Sequence, residues 1–235
     1  MSNTFHFKQF SIEQDKCAMK IGTDGVLLAA WLPIRKGSLQ ILDIGTGTGL
    51  IALMLAQRMP EAIIIALEKD SLAAQQAKEN FNNSIFKKRI SSIETRLQEY
   101  ENPLSFNIIV SNPPFFEPNK KMVSNNRKEA RQSETLTFLE LLSKSYELLK
   151  KDGSAFYIIP STRTKEFLKT ASSIGFFLKK ETKVKGNKDT PVKRSLLELV
   201  KIKVPLQTSE LTLETERHKY TKEYLNMVKD FYLKL

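Results

Sequence analysis

The chain has 235 residues, of which 41% are hydrophobic and 27% are charged, which suits one folded domain in water. Its single cysteine, Cys17, excludes an internal disulfide, and with only two histidines a zinc cluster is not expected. No apolar run approaches the roughly 18 residues that cross a bilayer, and the first residues lack the layout of a signal peptide. The composition therefore predicts a reduced, metal-free, cytoplasmic protein that does not enter a membrane.

Positive charge dominates the chain and is unevenly placed. Lys and Arg number 37 against 26 Asp and Glu, which gives a formal net charge of +11. The stretch 119–131 has five basic residues and one acid, and the stretch 179–203 has nine and three, so the two stretches hold +4 and +6. Such clustering is typical of a surface that binds an anionic partner. A solvated, lysine-rich face is the alternative interpretation.

Strand-like and helix-like segments alternate along the chain. This alternation predicts one α/β domain over residues 1–235, with βαβ units, a mostly parallel sheet and helices on both faces. Residues 1–35 form an N-terminal extension that contains a candidate short helix at 24–32. The predicted strands are 39–44, 62–67, 90–93, 106–110, 154–159, 176–184 and 195–204, and the predicted helices after the extension are about 50–58, 72–82, 136–149, 161–173 and 221–232. The last two strands flank a polar loop, so we expect a seven-stranded sheet that ends in an antiparallel hairpin.

A glycine-rich turn lies between the first of these strands and the helix that follows. Asp43 is succeeded by glycines at alternate positions, Gly45, Gly47 and Gly49. Doubly wound sheets bind ligands here, because glycine lets the backbone turn tightly and approach a ligand closely. The spacing is neither the G-x-G-x-x-G of dinucleotide sites nor a phosphate-binding P-loop. It resembles the first motif of class I methyltransferases, which implies that the loop passes under the amino-acid part of S-adenosylmethionine. A turn that only packs the helix on the sheet is the alternative.

Glu68 ends the second predicted strand, 19 residues beyond Gly49. A carboxylate about 20 residues after the glycine loop holds ribose hydroxyls in doubly wound folds, because it can accept both protons. Asp70 is the competing candidate, but its position suits a cap on the next helix. Glu68 is therefore the predicted ribose ligand.

The strand at 106–110 is followed by Asn112-Pro113-Pro114-Phe115. The prolines have no N–H, so this backbone offers carbonyl acceptors, and Asn112 adds a side-chain carbonyl. Such acceptors can hold both hydrogens of a planar NH₂ group while its nitrogen attacks a methyl donor, a reaction that depends on positioning rather than on a strong base. Phe115 offers a flat face on which a base can stack. Asn112, Pro113 and Phe115 are the predicted catalytic residues, and a proline-stiffened turn is the alternative.

Asn-Pro-Pro-Phe resembles the [DNS]-P-P-[YFW] motif of methyltransferases that modify adenine N6, cytosine N4 or a glutamine amide. Nearly end to end, the chain is similar to the bacterial tRNA1(Val) (adenine-37-N6)-methyltransferases, and the matching segments are 7–10, 17–25, 53–58, 130–131, 193–197 and 231–233. The most specific segment runs from Lys20 to Gly25. The resemblance implies a class I, Rossmann-like fold, S-adenosylmethionine as cofactor, tRNA as partner, and a place for Lys20, Thr23 and Asp24 in the cofactor pocket.

Two positions depart from the family pattern. Phe115 stands where Tyr is common, which keeps the stacking face and removes a hydroxyl. Arg96 stands where many relatives place an Asp that meets the amine of the cofactor's adenine, so Gln98 or a backbone carbonyl is the expected replacement. Asn112, besides its catalytic role, is also expected to contact the cofactor.

The expected RNA contacts come from the two basic stretches and are Lys120, Lys121, Arg127, Lys128, Arg131, Lys193 and Arg194. The chief alternative is a glutamine N5-methyltransferase that acts on release factors, although such enzymes typically carry Tyr in the motif and a long helical N-terminal domain. A nucleic-acid-binding module without catalysis is disfavoured by the intact motifs. We expect a monomer without bound metal.

Overall fold

The computed structural model describes residues 4–17, 19–101, 105–114, 136–217 and 219–234. The helices are α1 (Thr23–Trp31), α2 (Leu50–Arg58), α3 (Ser71–Asn82), α4 (Phe138–Leu148), α5 (Ser161–Ile174) and α6 (Lys222–Val228). The strands are β1 (Thr4–His6), β2 (Ser11–Glu13), β3 (Gln40–Ile44), β4 (Ile63–Glu68), β5 (Ile90–Glu94), β6 (Phe106–Ser111), β7 (Leu149–Pro160), β8 (Phe177–Lys185), β9 (Val192–Val200), β10 (Gln207–Thr212), β11 (Glu214–Glu216) and β12 (Lys219–Tyr220). None of the described helices has the length and apolar character needed to span a bilayer.

Eight strands form the central sheet in the order β10-β8-β9-β7-β6-β3-β4-β5. The pairs from β5 to β7 are parallel, and β9 runs antiparallel to both β7 and β8. The chain leaves β3 toward β4 and β5 and later returns to β6 on the other side of β3. The order of the strands therefore reverses between β3 and β6, which is where doubly wound folds form a ligand crevice at the carboxyl ends of the strands.

The α/β class, the mostly parallel sheet and the antiparallel β8–β9 hairpin are as expected from the sequence, but the predicted number of seven strands is wrong. The additional strand is β10, which pairs parallel to β8 from Gln207–Lys180 to Thr212–Lys185. Leu211 is the one buried residue of β10, and the residues before it are exposed. The strand therefore lacks the apolar pattern by which a strand is recognised in sequence.

Apolar side chains cover both faces of the sheet. On one face Ile41, Ile108 and Phe156 pack with residues of α1, α2 and α3. On the other face Leu42 and Tyr157 belong to a second cluster with residues of α4 and α5. Because successive side chains of a strand point to opposite faces, strands buried on both sides appear in sequence as continuous apolar runs. This is why β3, β4 and β6 were predicted within one residue of their observed bounds, whereas β7 begins at Leu149, five residues earlier than predicted.

The N-terminal extension begins with the β1–β2 hairpin, which packs against the end of the chain. The ring of Phe7 lies 5.6 Å from that of Tyr232 and 4.7 Å from that of Phe10. The backbone N–H of Lys8 donates to the carbonyl of Phe231 at 2.8 Å. After β2 the chain passes α3 and reaches the carboxyl edge of the sheet before α1 begins.

Candidate active site

Two cavities meet at the carboxyl edge of the sheet, where β3, β4 and β6 end. The first has a volume of about 320 Å³ and the second about 760 Å³. The walls that they share are formed by Met19, Gly45, Gly47, Asn112 and Pro113. The glycine loop and the Asn-Pro-Pro segment, predicted separately, thus lie together at the junction of the cavities.

The three glycines of the loop have different roles. Their φ angles are +71°, +56° and +86° at Gly45, Gly47 and Gly49, a region that other residues rarely adopt. A Cβ on Gly45 or Gly47 would meet nothing within 4 Å, since both positions face cavity space. A Cβ on Gly49 would lie 2.4 Å from Cε1 of Phe81. Gly45 and Gly47 therefore leave room for a ligand, whereas Gly49 allows the start of α2 to pack closely on α3.

Asp43 lies beneath the loop and outside the lining of both cavities. Its side chain is fully buried, and Oδ2 accepts from the Oγ1 of Thr46 at 2.6 Å. Burial raises the pKa of Asp43 to about 7, against hydrogen bonds from Thr46 and the backbone of Ala52 that lower the pKa. The sequence placed Asp43 among the cofactor ligands, whereas in the structure this side chain contacts the loop itself.

Glu68 lines the first cavity at the end of β4. Its Oε2 accepts from the N–H of Gly47 at 3.0 Å, and its Oε1 accepts from the N–H groups of Lys69 and Asp70 at 2.8 and 3.0 Å. An ionised carboxylate offers about four acceptor positions, so these three donors leave room for a ligand hydroxyl. Asp70 caps α3 by accepting from the N–H of Ala73 at 2.9 Å, which confirms the expected cap.

Gln98 also lines the first cavity, on a short 3₁₀ turn at Leu97–Glu99. Apolar walls beside it come from Ile44, Leu67 and Leu97. The amide nitrogen of Gln98 donates to Oε1 of Glu140 on α4 at 3.2 Å. The first cavity therefore combines apolar walls with a carboxylate and an amide.

Asn112 lies half-buried directly after β6, and Pro113 is buried beside it. The strand end is fixed by Ser111, whose hydroxyl donates to the carbonyl of Ile44 on β3 at 2.8 Å. Both Asn112 and Pro113 line both cavities. Phe115 and five of the predicted RNA contacts, Lys120, Lys121, Arg127, Lys128 and Arg131, lie outside the described residues.

The second cavity is lined by Lys20, Thr23 and Asp24, the residues of the family string, and by Arg194. The Nε of Arg194 donates to Oδ2 of Asp24 at 2.8 Å, which joins the start of β9 to α1. Lys193, on the same strand, is exposed and does not line this cavity. The two residues predicted as RNA contacts on β9 therefore have different surroundings.

Arg163 lines the second cavity and was not singled out from the sequence. It lies in the first turn of α5, its guanidinium carbon is 4.3 Å from the ring centroid of Phe138, and it pairs with Glu166 at 2.8 Å. The sequence signal that could have identified Arg163 is its position, since α5 starts directly after β7, at the carboxyl edge where doubly wound sheets bind ligands. Its local sequence, Ser-Thr-Arg-Thr, has no motif that would separate it from other surface arginines.

Comparisons with known proteins identify the family of this chain. The family described as "Methyltransferase small domain" matches residues 17–184. A relative from Christiangramia forsetii is 45% identical over 240 residues and covers 100% of both chains; one from Flavobacterium psychrophilum is 46% identical and covers 98% of this chain and 100% of the relative. Both relatives are named tRNA1(Val) (adenine(37)-N6)-methyltransferase. The chain belongs to this family.

Solved structures agree with the family at the level of the fold. A protein from Agrobacterium tumefaciens described as a predicted O-methyltransferase superposes with a TM-score of 0.70 at 18% identity, over 88% of this chain and 96% of the other. A glycopeptide N-methyltransferase complexed with S-adenosylmethionine superposes with a TM-score of 0.58 at 12% identity, over 77% of this chain and 89% of the other. The family and these structures share the class I methyltransferase fold.

Proposed function

We propose that this chain transfers a methyl group from S-adenosylmethionine to the exocyclic N6 of an adenine in tRNA, adenine 37 of tRNA1(Val). The observation that carries the proposal is the position of Asn112 and Pro113 at the junction of the two cavities. The full-length similarity to relatives that bear this name supports the choice of substrate.

The residues of the first cavity fit S-adenosylmethionine, which supplies an electrophilic methyl group on a sulfonium. Leu67 and Leu97 provide apolar walls for an adenine ring, and Glu68 keeps an acceptor position for a ribose hydroxyl. At Gly45 and Gly47 the missing side chains leave open space toward the second cavity, where a methionyl group needs room. The N-terminal end of α2, whose first residues line that cavity, favours a carboxylate.

Asn112 holds the amine that is methylated. Its side-chain carbonyl and the backbone carbonyl beside Pro113 can each accept one hydrogen of an adenine NH₂ group, which orients the nitrogen. No described carboxylate on the cavity walls is placed as a strong base. Glu68 accepts three N–H groups, Asp70 caps α3 by accepting from the N–H of Ala73, and Asp24 pairs with Arg194. The proton therefore passes to water after the nitrogen has been methylated, and the rate depends on how well the amine is held.

The second cavity receives the target adenosine. An adenine can reach this edge of the sheet only after it leaves its base stack, which costs least in a single-stranded loop. Lys20 places positive charge on the cavity wall, where phosphates beside the target nucleotide would lie. Arg163 and Arg194 lie on the same wall in ion pairs with Glu166 and Asp24. Phe115 and the basic residues 120–131 remain predicted contacts of the same RNA.

Methyl transfer to defined acceptors tests the proposal. With labelled S-adenosylmethionine, we expect transfer to unmodified tRNA1(Val), loss of transfer when adenine 37 is replaced by guanine, and no transfer to a release factor. N6-methyladenosine should appear when the product nucleosides are analysed by mass spectrometry. Transfer to the release factor but not to tRNA would establish the glutamine-modifying alternative instead.

Asn112→Ala should lower kcat by about 100- to 1000-fold, because one positioned acceptor stabilises the transition state by roughly 3–4 kcal/mol. The matched control is Asn226→Ala on the exposed face of α6, which should leave kcat unchanged. A kcat for Asn112→Ala within about threefold of wild type, which is a loss of less than about 0.7 kcal/mol, would contradict the positioning role.

A further inference from the structure

Glu140 belongs to the first turn of α4 and contacts both the cap of that helix and the wall of the first cavity. Its Oε2 accepts from the N–H of Thr137 at 2.8 Å and from the hydroxyl of Thr137 at 2.7 Å. The hydroxyl oxygen of Thr137 in turn accepts from the N–H of Glu140 at 3.2 Å. This capping box occupies one carboxylate oxygen and leaves Oε1 for the amide of Gln98.

The contact determines which way the amide of Gln98 faces. An ionised carboxylate can only accept hydrogen bonds, so the amide nitrogen of Gln98 must point at Glu140. The hydrogen bonds from Thr137 lower the pKa of Glu140, which keeps this carboxyl ionised at neutral pH. The carbonyl oxygen of Gln98 is consequently directed away from Glu140, on a residue that forms part of the cavity wall.

We propose that Glu140 is a positioning residue for cofactor recognition: it holds Gln98 so that the amide oxygen accepts from the 6-amino group of the cofactor's adenine. The inference rests on the proposed function, because it takes S-adenosylmethionine as the occupant of the first cavity. A 6-amino group donates and is matched by this oxygen. A 6-oxo group can only accept at that position, so the same oxygen repels it.

Arg96 also lines the first cavity, beside Gln98. Arg96 offers only donors and cannot accept from an amine. Gln98, two residues later, supplies the acceptor, but an amide can rotate and present its nitrogen instead. Glu140 removes this ambiguity, because only one orientation of the amide satisfies the carboxylate.

Binding measurements with two product analogues test the proposal. Calorimetry would compare S-adenosylhomocysteine with S-inosylhomocysteine, in which the 6-amino group is replaced by a 6-oxo group. We expect the wild-type protein to prefer the adenine compound by about tenfold or more, as sites built to receive a particular hydrogen-bonding group do. In Glu140→Ala the amide can turn and donate to the 6-oxo group, so the preference should fall to about threefold or less.

Gln98→Ala and Thr221→Ala are the controls. Gln98→Ala removes the reading group and should abolish the preference. Thr221→Ala removes the cap of α6, where the Thr221 hydroxyl accepts from the N–H of Tyr224 at 3.2 Å, and lies outside both cavity walls. It should lower stability through cap loss, as Glu140→Ala does, while retaining the wild-type preference.

Retention of the full preference by Glu140→Ala would overturn the proposal and leave Glu140 as a helix cap only. Retention by Gln98→Ala would overturn it as well, because another group would then read the amine. Wild-type protein that methylates tRNA but binds both analogues equally also contradicts the proposal and leaves the proposed function intact. Failure of the wild type to bind S-adenosylhomocysteine would instead overturn the proposed function, and this proposal with it.

Discussion

Asp43 is a buried carboxylate that supports the glycine loop at the cost of its own ionisation. Oδ2 accepts from the hydroxyl of Thr46 at 2.6 Å, but Oδ1 is buried without a hydrogen-bond partner among the described residues. An acceptor that is removed from water and left unpaired favours the protonated form. The burial that places this carboxyl beneath the glycine loop therefore makes its support of the loop depend on pH.

The free energy of unfolding should contain a contribution from Asp43 that decreases as the pH rises from about 4 to about 7. The pKa of an aspartate side chain is ordinarily 3.8, and the pKa of Asp43 in the folded protein is about 7. Over this interval the folded protein keeps a proton that the unfolded chain has lost, so raising the pH favours unfolding. The contribution is up to about 4 kcal/mol, at roughly 1.4 kcal/mol per pKa unit.

Urea denaturation of wild type and Asp43→Asn across this pH range measures the effect. Asparagine does not titrate, so the stability of the wild type relative to Asp43→Asn should decline from pH 4 to pH 7 and stay constant above it. Parallel pH profiles for the two proteins would contradict the raised pKa.

The β8–β9 hairpin divides the basic stretch 179–203 between opposite edges of the sheet. Arg194 pairs with Pro160 at the carboxyl edge, whereas Val200 pairs with Ser154 at the amino edge. Six residues of strand separate the two, about 20 Å. At the amino edge Lys179 pairs with Glu198 at 2.9 Å, and Lys201 donates to the carbonyl of Leu149. Of this stretch, the turn near Lys188 and Lys193 is the part that lies at the edge of the candidate active site.

Replacing Lys188 and Lys193 together by alanine should therefore weaken tRNA binding and reduce its dependence on salt. Each lost phosphate contact lowers the slope of log Kd against log salt by about 0.7–0.9. Binding titrations at several salt concentrations measure the slope, which should fall by about 1–2 for the double variant.

Lys151→Ala combined with Lys203→Ala is the matched control for this variant. All four lysines are exposed, and both pairs remove two positive charges. The control pair lies at the amino edge, well beyond the screening length of about 8 Å at physiological salt, so it should leave the slope unchanged. Equal effects of the two pairs would show that net charge, and not the position of the hairpin turn, governs binding.

Across the whole molecule, the sequence was informative where one local pattern determines the structure. Apolar runs located β3, β4 and β6, and alternate glycines located the loop. β10 gave no such signal, because its pairing with β8 uses backbone groups while its side chains are mostly exposed. Glu140 and Arg163 were missed because the contact of Glu140 with Gln98 and the place of Arg163 in a cavity wall arise only when α4 and α5 pack on the sheet. Asp43 was assigned to the cofactor because its position in the motif does not reveal which side of the loop it faces.

Asn80 connects the N-terminal extension, α3 and the glycine loop through one buried amide. Its Oδ1 accepts from the N–H of Glu13 at 2.9 Å. Its Nδ2 donates to the carbonyls of Glu13 and Thr48, both at 2.9 Å. Beside it, Lys16 pairs with Glu79 on the same helix at 2.7 Å. These contacts fix both the segment that leads to Cys17 and the loop that forms the cavity floor, so we expect the extension to influence cofactor binding from a distance.

Asn80→Ala should both destabilise the fold and weaken cofactor binding. The substitution leaves three backbone groups without their partners, and each buried polar group without a partner costs about 1–3 kcal/mol. Because water can reach some of these groups in the variant, the free energy of unfolding should fall by about 3 kcal/mol in total. Without the Asn80 amide to hold β2, the backbone amide hydrogen of Glu13 should exchange faster, which hydrogen exchange measures. Without the contact to the glycine loop, the protein should bind S-adenosylhomocysteine about tenfold more weakly, which calorimetry measures. Asn82→Ala, at the exposed end of the same helix, removes an equal side chain and should change neither quantity. If Asn80→Ala is destabilised but binds S-adenosylhomocysteine as tightly as wild type does, the glycine loop keeps its shape without this contact. The extension would then only hold the two ends of the chain together.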